Sequence, residues 1–371
     1  MGKKTKINVL HLETALEWRG GQQQIAYLVH GLLRAGINTA LVAPPTAKVT
    51  DYFRKNALPF LEVKVRHGWD LQAARKIARF IGENRVNILH AHSSHALSLG
   101  LLIKLLRPSV KLIASRRVDF SVKKPLIGAL KYNNRLIDRI VCISENIANV
   151  LTADGVNPAK LSVIYSGIDP DRFKAQPAED LRKELGIPRE HLVVGTVAAL
   201  VGHKDYPTLL RAAALVVKRY PRVSFCAVGE GADRPQLEGL QRRLGLGDRF
   251  RFVGFRSDLD RFYALFDVFA LSSYKEGLGT SVLDALACGL PVVASRAGGI
   301  GEMIEDEKNG LLVPPRDDQA LADALLRLLQ DEALRKRLAR NARPSVEKFS
   351  FNRMVDNHIR LYEQLLTGGG F

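Results

Sequence analysis

The chain has 371 residues, 46% of them hydrophobic and 25% charged, with a formal net charge of +17. That composition excludes a disordered, collagen-like or disulfide-scaffold protein, and the length predicts two domains with cores of their own. The charge is lopsided: residues 1–165 hold 25 basic and 10 acidic side chains, the remainder 30 and 28. The first half therefore either meets an anionic partner (a phospholipid surface, a phosphorylated substrate or nucleic acid) or is simply a soluble basic surface, and the asymmetry favours the partner.

In the first half, β-branched strand candidates at Ile7–Leu12, Asn38–Ala43, Phe60–Val65, Val86–Ala91, Lys111–Ser115, Arg139–Ile143 and Leu161–Tyr165 alternate with helical patterns such as Gln22–Arg34, Leu71–Gly82, Ser94–Leu106 and Glu145–Ala153. The second half repeats the alternation. Strands are predicted at Leu192–Ala198, Val223–Gly229, Phe250–Gly254, Val268–Leu271, Pro291–Ala294 and Leu311–Val313, with helices at Tyr206–Arg219, Arg234–Leu244, Ser281–Cys288 and Gln319–Leu329. Near-continuous apolar strands separated by helices imply parallel sheets covered on both faces, hence two doubly wound α/β domains of Rossmann type. The Gly/Pro/Asp-rich stretch Ser166–Phe173 marks the boundary, giving domains 1–165 and 166–350. A closing helix, Phe351–Leu366, can pack on either domain, and the glycines from Gly368 to Gly370 read as a frayed tail.

In such sheets ligands bind beyond the carboxyl ends of the strands, and the chemistry-bearing residues cluster there. Arg19, Gly20 and Gly21 follow the first strand and open a helix whose free N–H groups can meet an anion, although a plain tight turn explains the glycines equally well. His90, Ala91 and His92 end the fourth strand, with both imidazoles on one face. No Cys–His ligand pattern accompanies them, which favours a substrate contact over zinc. Lys204 lies in a strand-to-helix loop, where it can neutralise a diphosphate or be a solvated surface lysine. The richest segment runs from Tyr274: Glu276 follows a strand, Leu278, Gly279 and Thr280 open a helix, and Asp284 comes eight positions after Glu276. Acceptors for sugar and ribose hydroxyls there flank amide donors for phosphates.

On these residues the chain resembles a retaining nucleotide-sugar glycosyltransferase of the GT-B fold, in glycosyltransferase family 4, of the cell-envelope and lipopolysaccharide type. The resemblance extends to Gly167-Ile-Asp169, Gly229-Glu-Gly231, Phe252-Val-Gly254 and Gly298-Gly-Ile-Gly-Glu302. It implies two domains facing across a cleft, with Glu276 on the donor sugar, Asp284 (where the family usually has Glu) on the ribose, and Lys204 on the diphosphate. Amides of Leu278, Gly279 and Thr280, with Gly20 and Gly21, would complete the phosphate cradle. His92 would lie beside the transferring sugar, and backbone from Val253 to Arg256, including Gly254, beside the base. The family usually carries an arginine five residues before the lysine; here that position is Ala199. Arg19, Arg116 and Arg117 are the candidates to supply the missing charge.

The expected reaction is front-face displacement, driven by electrostatic stabilisation of a departing nucleotide diphosphate, UDP by default. It requires no obligatory metal or other cofactor, and Asp169-Pro-Asp171 reads as a turn rather than a metal-binding motif. The basic half is then the acceptor domain, and Arg116–Lys131 mixes cations with apolar residues as an interfacial helix does, although a solvated face with a buried stripe explains the pattern equally well. Partners are a nucleotide-sugar, a glycan or glycolipid acceptor and an anionic membrane surface. No apolar run reaches the roughly 18 residues of a membrane span, and Ile7–Leu12 is too short for a signal-peptide core. Cys142, Cys226 and Cys288 read as buried free thiols, which points to the cytosol or the cytosolic face of a membrane. Two other classes stand beside this reading: another enzyme on the same fold, such as a sugar-nucleotide epimerase or a phosphorylase, and a non-catalytic basic protein that binds nucleic acid or membrane. Neither a zinc knuckle nor an RRM-type strand supports the nucleic-acid reading.

Overall fold

The computed structural model describes residues 6–122, 127–173 and 178–368. The chain divides into two compact units, Met1–Gly167 with Phe351–Phe371, and Ile168–Ser350. Lys123, Lys124, Pro125 and Leu126, inside the segment read as interfacial, lie outside the described residues, as do the first five residues, Gly369 and Gly370.

The first unit is built on a seven-stranded parallel sheet: β1 (Asn8–Leu12), β2 (Asn38–Ala43), β3 (Phe60–Glu62), β4 (Ile88–Ala91), β5 (Lys111–Arg116), β6 (Arg139–Cys142) and β7 (Leu161–Val163). Its order is β3-β2-β1-β4-β5-β6-β7. The connecting helices start where short polar side chains end the strands. Ser93 Oγ accepts from the Ala96 amide, Asp70 Oδ1 from Ala73 and Ser144 Oγ from Ile147, each satisfying a donor that a helix N-terminus leaves open. The helix Phe351–Thr367 packs on this unit. Its Met354, Val355, Leu361 and Tyr362 join Leu28, Leu32, Ile88 and Ile113 in one buried cluster. The approach to helix Gly20–Arg34 is close enough that a Cβ on Gly31 would lie 2.3 Å from Val355 Cγ2.

The second unit holds a six-stranded parallel sheet: β8 (Leu192–Val197), β9 (Val223–Val228), β10 (Phe250–Gly254), β11 (Val268–Leu271), β12 (Val292–Ser295) and β13 (Gly310–Val313), ordered β10-β9-β8-β11-β12-β13. Leu209, Leu210, Phe225, Phe250 and Leu325 are among its fully buried residues. Two parallel-sheet α/β units are thus the fold expected from the alternating pattern. Among described residues, no helix is long and apolar enough to cross a membrane. Cys142 and Cys226 are buried free thiols, whereas Cys288 is half-buried.

Among the described residues, four helices escape the sequence pattern: Lys48–Lys55, Glu179–Glu184, Leu259–Leu265 and Glu332–Ser345. The last buries only Leu334, Leu338 and Ala342 among many arginines, a stripe too narrow to stand out as an amphipathic period. A large side chain at Gly31 has no room beside Val355, so Gly31→Leu should lower the denaturation free energy of the first unit by about 1–3 kcal/mol, measured by urea unfolding.

Candidate active site

Strand order reverses between β1 and β4 in one sheet and between β8 and β11 in the other. Loops leaving neighbouring strands part at such a switch point and open a crevice at their carboxyl ends.

In the second unit, Lys204 lies in the turn after β8 and Glu276 in the loop after β11. Their side chains, 15% and 12% exposed, form an ion pair: Lys204 Nζ is 2.9 Å from Glu276 Oε1 and 2.7 Å from Oε2. Ser272 Oγ ties down the lysine turn through the carbonyls of Lys204 and Asp205, each at 3.0 Å. Gly298, with φ +52°, fixes the glutamate loop from the other side. A Cβ there would lie 1.7 Å from the Glu276 carbonyl oxygen, which accepts a hydrogen bond from the Gly299 amide. Directly after Leu278 and Gly279, helix Thr280–Ala287 begins with no side-chain cap and no acid in its first turn, so its amides are open to an anion.

Asp284 lies one turn into that helix. Burial pushes its carboxyl up to about 7, with Arg172 opposing the shift. Gly254 ends β10, and nearby Arg256 is committed to carboxylates, bidentate to Asp258 and 2.8 Å from Glu184. Its backbone, rather than its guanidinium, is therefore what remains for a ligand.

In the first unit, parallel register sets His11 of β1 beside His90 of β4, and His92 follows on the same face. All three are buried, together with His358 and Tyr362 of the closing helix. His90 Nδ1 is 2.8 Å from Tyr362 Oη and its Nε2 2.8 Å from Ser115 Oγ. His92 Nε2 is 2.9 Å from His11 Nδ1, and its Nδ1 is 3.1 Å from an Arg117 Nη. Both ring nitrogens of His92 are therefore engaged within this unit, so a direct sugar contact would require one of those bonds to be exchanged. Burial pushes His11 down to about 3 and His358 to about 4, and drives His90 and His92 well below the ordinary histidine range.

The histidine trio His11, His90 and His92 is close enough to hold a cation. Its hydrogen bonds argue against that use. His90 already spends both nitrogens on hydroxyls, and a metal on His92 Nε2 would put the proton on Nδ1, pointing at the Arg117 donor.

The three candidate arginines separate clearly. Arg19 is exposed at the N-cap of helix Gly20–Arg34. Arg116 is spent locally on the Phe120 carbonyl and the Tyr132 hydroxyl. Arg117 is half-buried, and its Nε is closed off from solvent without a hydrogen-bond partner. A Cβ on Gly21 would touch its Cδ at 3.5 Å, which sets the guanidinium stem against the helix N-terminus. Arg117 makes no ion pair with any described residue. The opposing charge it feels is Glu13, whose oxygens already accept from Thr14, Ala15 and Gln22. Burial lowers Arg117 to about 10, and such a cation invites an anionic ligand. A cavity of about 280 Å³ lined by Asn8, Asn38 and Phe80 opens at the opposite, N-terminal end of the same sheet and takes no part.

Two family models cover most of the chain: "Glycosyltransferase Family 4" matches residues 18–172 and "Glycosyl transferases group 1" matches residues 177–345. The chain belongs to the family 4 glycosyltransferases. It is 35% identical to a D-inositol 3-phosphate glycosyltransferase of Corynebacterium urealyticum over 62% of this chain and 57% of that one. Similarity to an N-acetyl-alpha-D-glucosaminyl L-malate synthase of Bacillus anthracis is 27% over 80% of each. The chain thus spans under three fifths of the inositol-phosphate relative. Among solved structures, HepE of Anabaena in complex with UDP-glucose matches with a TM-score of 0.85 and 23% identity, covering 96% of this chain and 99% of that one. A glycosyltransferase from Rickettsia africae matches with a TM-score of 0.86 and 19% identity over 98% and 100%. These likenesses establish the GT-B fold for this family 4 chain.

Sequence reasoning missed His11, His358 and Tyr362. The available signal was that His11 sits near the end of β1 as His90 does in β4, and the parallel register makes them neighbours. His358 and Tyr362 reach them only through packing of the closing helix. Because burial holds these four histidines neutral, the unfolded chain takes up protons first below the ordinary pKa of 6.5. Urea unfolding of the first unit should lose up to about 1.4 kcal/mol per pH unit per histidine as pH falls from 6.5 towards 4, with a shallower slope in His358→Gln.

Proposed function

We propose that this protein transfers a sugar, with retention, from a nucleotide diphosphate donor to a hydroxyl of an anionic acceptor. The observation that carries this reading is the largely buried Lys204–Glu276 pair at the β8/β11 switch point, beside the uncapped helix Thr280–Ala287. A cation, a hydroxyl acceptor and open amides are what a sugar diphosphate needs. Lysine and carboxylate satisfy each other; a donor replaces that contact, its phosphates taking Lys204 and its sugar hydroxyls donating to Glu276. Asp284 accepts from the ribose hydroxyls, and the Leu278–Thr280 amides hold phosphate oxygens. Arg117, with the Gly20–Gly21 helix end, is a second phosphate site and supplies the cation absent at Ala199. Catalysis is electrostatic stabilisation of the leaving diphosphate. Charge neutralisation by Lys204, Arg117 and amides makes a divalent metal dispensable.

UDP is the proposed nucleotide, supported by the UDP-glucose complex of the HepE neighbour. An anionic acceptor is supported by the basic first unit and by two relatives whose names specify inositol 3-phosphate and L-malate. A lipid-linked acceptor would bring the exposed Val118, Phe120 and Leu130 to a membrane surface.

Nucleotide release from UDP-, GDP- and ADP-sugars, followed with and without EDTA, tests the reading. One donor should turn over in EDTA, and Glu276→Gln, Lys204→Ala and Arg117→Ala should each slow it by about a hundredfold. Silence across the panel, with no donor binding by calorimetry, would overturn it. The half-buried Asp284 adds a pH signature: UDP affinity should rise between pH 6 and 8 as the carboxylate ionises, and Asp284→Asn should flatten that rise.

A further inference from the structure

The hydrogen bonds around His92 determine where its proton sits. A guanidinium only donates, so His92 Nδ1, 3.1 Å from Arg117, carries the lone pair. Both buried rings are neutral, which leaves the His92 proton on Nε2, donated to His11 Nδ1 at 2.9 Å. His11 therefore carries its own proton on Nε2, an atom that is buried and has no partner. A fully buried N–H left unpaired is a cost that packing alone would remove by substituting an apolar residue.

We infer that His11 is a positioning residue: by accepting the His92 Nε2 proton it locks His92 in the tautomer whose Nδ1 accepts from Arg117, and so aims Arg117 at the N-terminus of helix Gly20–Arg34. With that acceptor gone, His92 is free to move its proton to Nδ1, where it confronts the arginine donor, and the guanidinium loses its only hydrogen bond to a described residue. The inference about binding rests on the reading of Arg117 as a phosphate site. The tautomer assignment does not.

The test uses the full chain with ring-¹⁵N histidine, comparing His11→Asn with His11→Gln. The Asn Oδ1 occupies the place of His11 Nδ1 and keeps an acceptor for His92, whereas the longer Gln reaches toward the Nε2 position. His92 signals are assigned by their loss in His92→Gln, and pyrophosphate binding is followed by calorimetry. The parent and His11→Asn should both show His92 protonated at Nε2 alone. His11→Gln should show a tautomer mixture and bind pyrophosphate about tenfold more weakly, the loss of one charge-assisted hydrogen bond. A role in packing alone predicts the reverse order, because Gln fills the histidine volume better. An unchanged His92 tautomer in His11→Gln overturns the inference. A shifted tautomer with pyrophosphate binding indifferent to both His11→Gln and Arg117→Ala upholds the relay and overturns only the phosphate reading.

Discussion

Parallel pairing at the two switch points is the constraint on which both halves of the chemistry depend. β1 pairs with both β2 and β4, and β8 with both β9 and β11, so the chain leaves each central strand on one side of the sheet and returns on the other. Loops after β8 and β11 consequently diverge, and Lys204 and Glu276 meet from opposite sides of the gap. Residues 72 apart in sequence pair at 2.7 Å because parallel pairing of β8 with β11 brings their following loops to the same end of the sheet. The same register makes His11 and His90 direct neighbours in the other sheet, with His92 one residue beyond the shared end.

The two units handle buried charge in different ways. In the second unit a lysine and a glutamate neutralise each other, which removes the penalty of an isolated ion. The first unit instead leaves Arg117 without a carboxylate partner among the described residues, held by the lone pair of a neutral imidazole and set against a helix N-terminus. Two positive fields, one from the guanidinium and one from helix-end amides, then act on the same place. Among the described residues no ion pair cancels them, and the opposing charge, Glu13, is already occupied by Thr14, Ala15 and Gln22. The histidines beneath serve that arrangement by staying neutral: a protonated ring at His92 would repel Arg117 and forfeit the lone pair that orients it.

Much of this was legible beforehand for physical reasons. Glu276, Gly279 and Asp284 lie close together in one strand–turn–helix segment, so their relation is local and follows from helix geometry. Gly298 gives no such sign of its partner. Its need for a positive φ and a bare Cα arises only where the chain folds back onto the Glu276 carbonyl. Likewise, nothing local distinguishes Arg116 from Arg117, consecutive residues at the end of β5. One turns to a backbone carbonyl and the Tyr132 hydroxyl, the other to a histidine, and that divergence is a product of packing.

Apolar periodicity and helix-start residues by themselves determined two parallel α/β units, the strand ends at which chemistry would sit, and the acid–turn–acid segment that points to a sugar nucleotide. Those features depend on residues within a dozen positions of each other, where backbone geometry links sequence directly to space. Tertiary structure alone decided that the closing helix returns to the first unit, bringing Tyr362 onto His90, that Lys204 closes on Glu276, and that Arg117 is the arginine set on a histidine lone pair beside Gly21. Each of those depends on which distant surfaces exclude water together, and burial of that kind is a property of the assembled sheet and helices rather than of any segment.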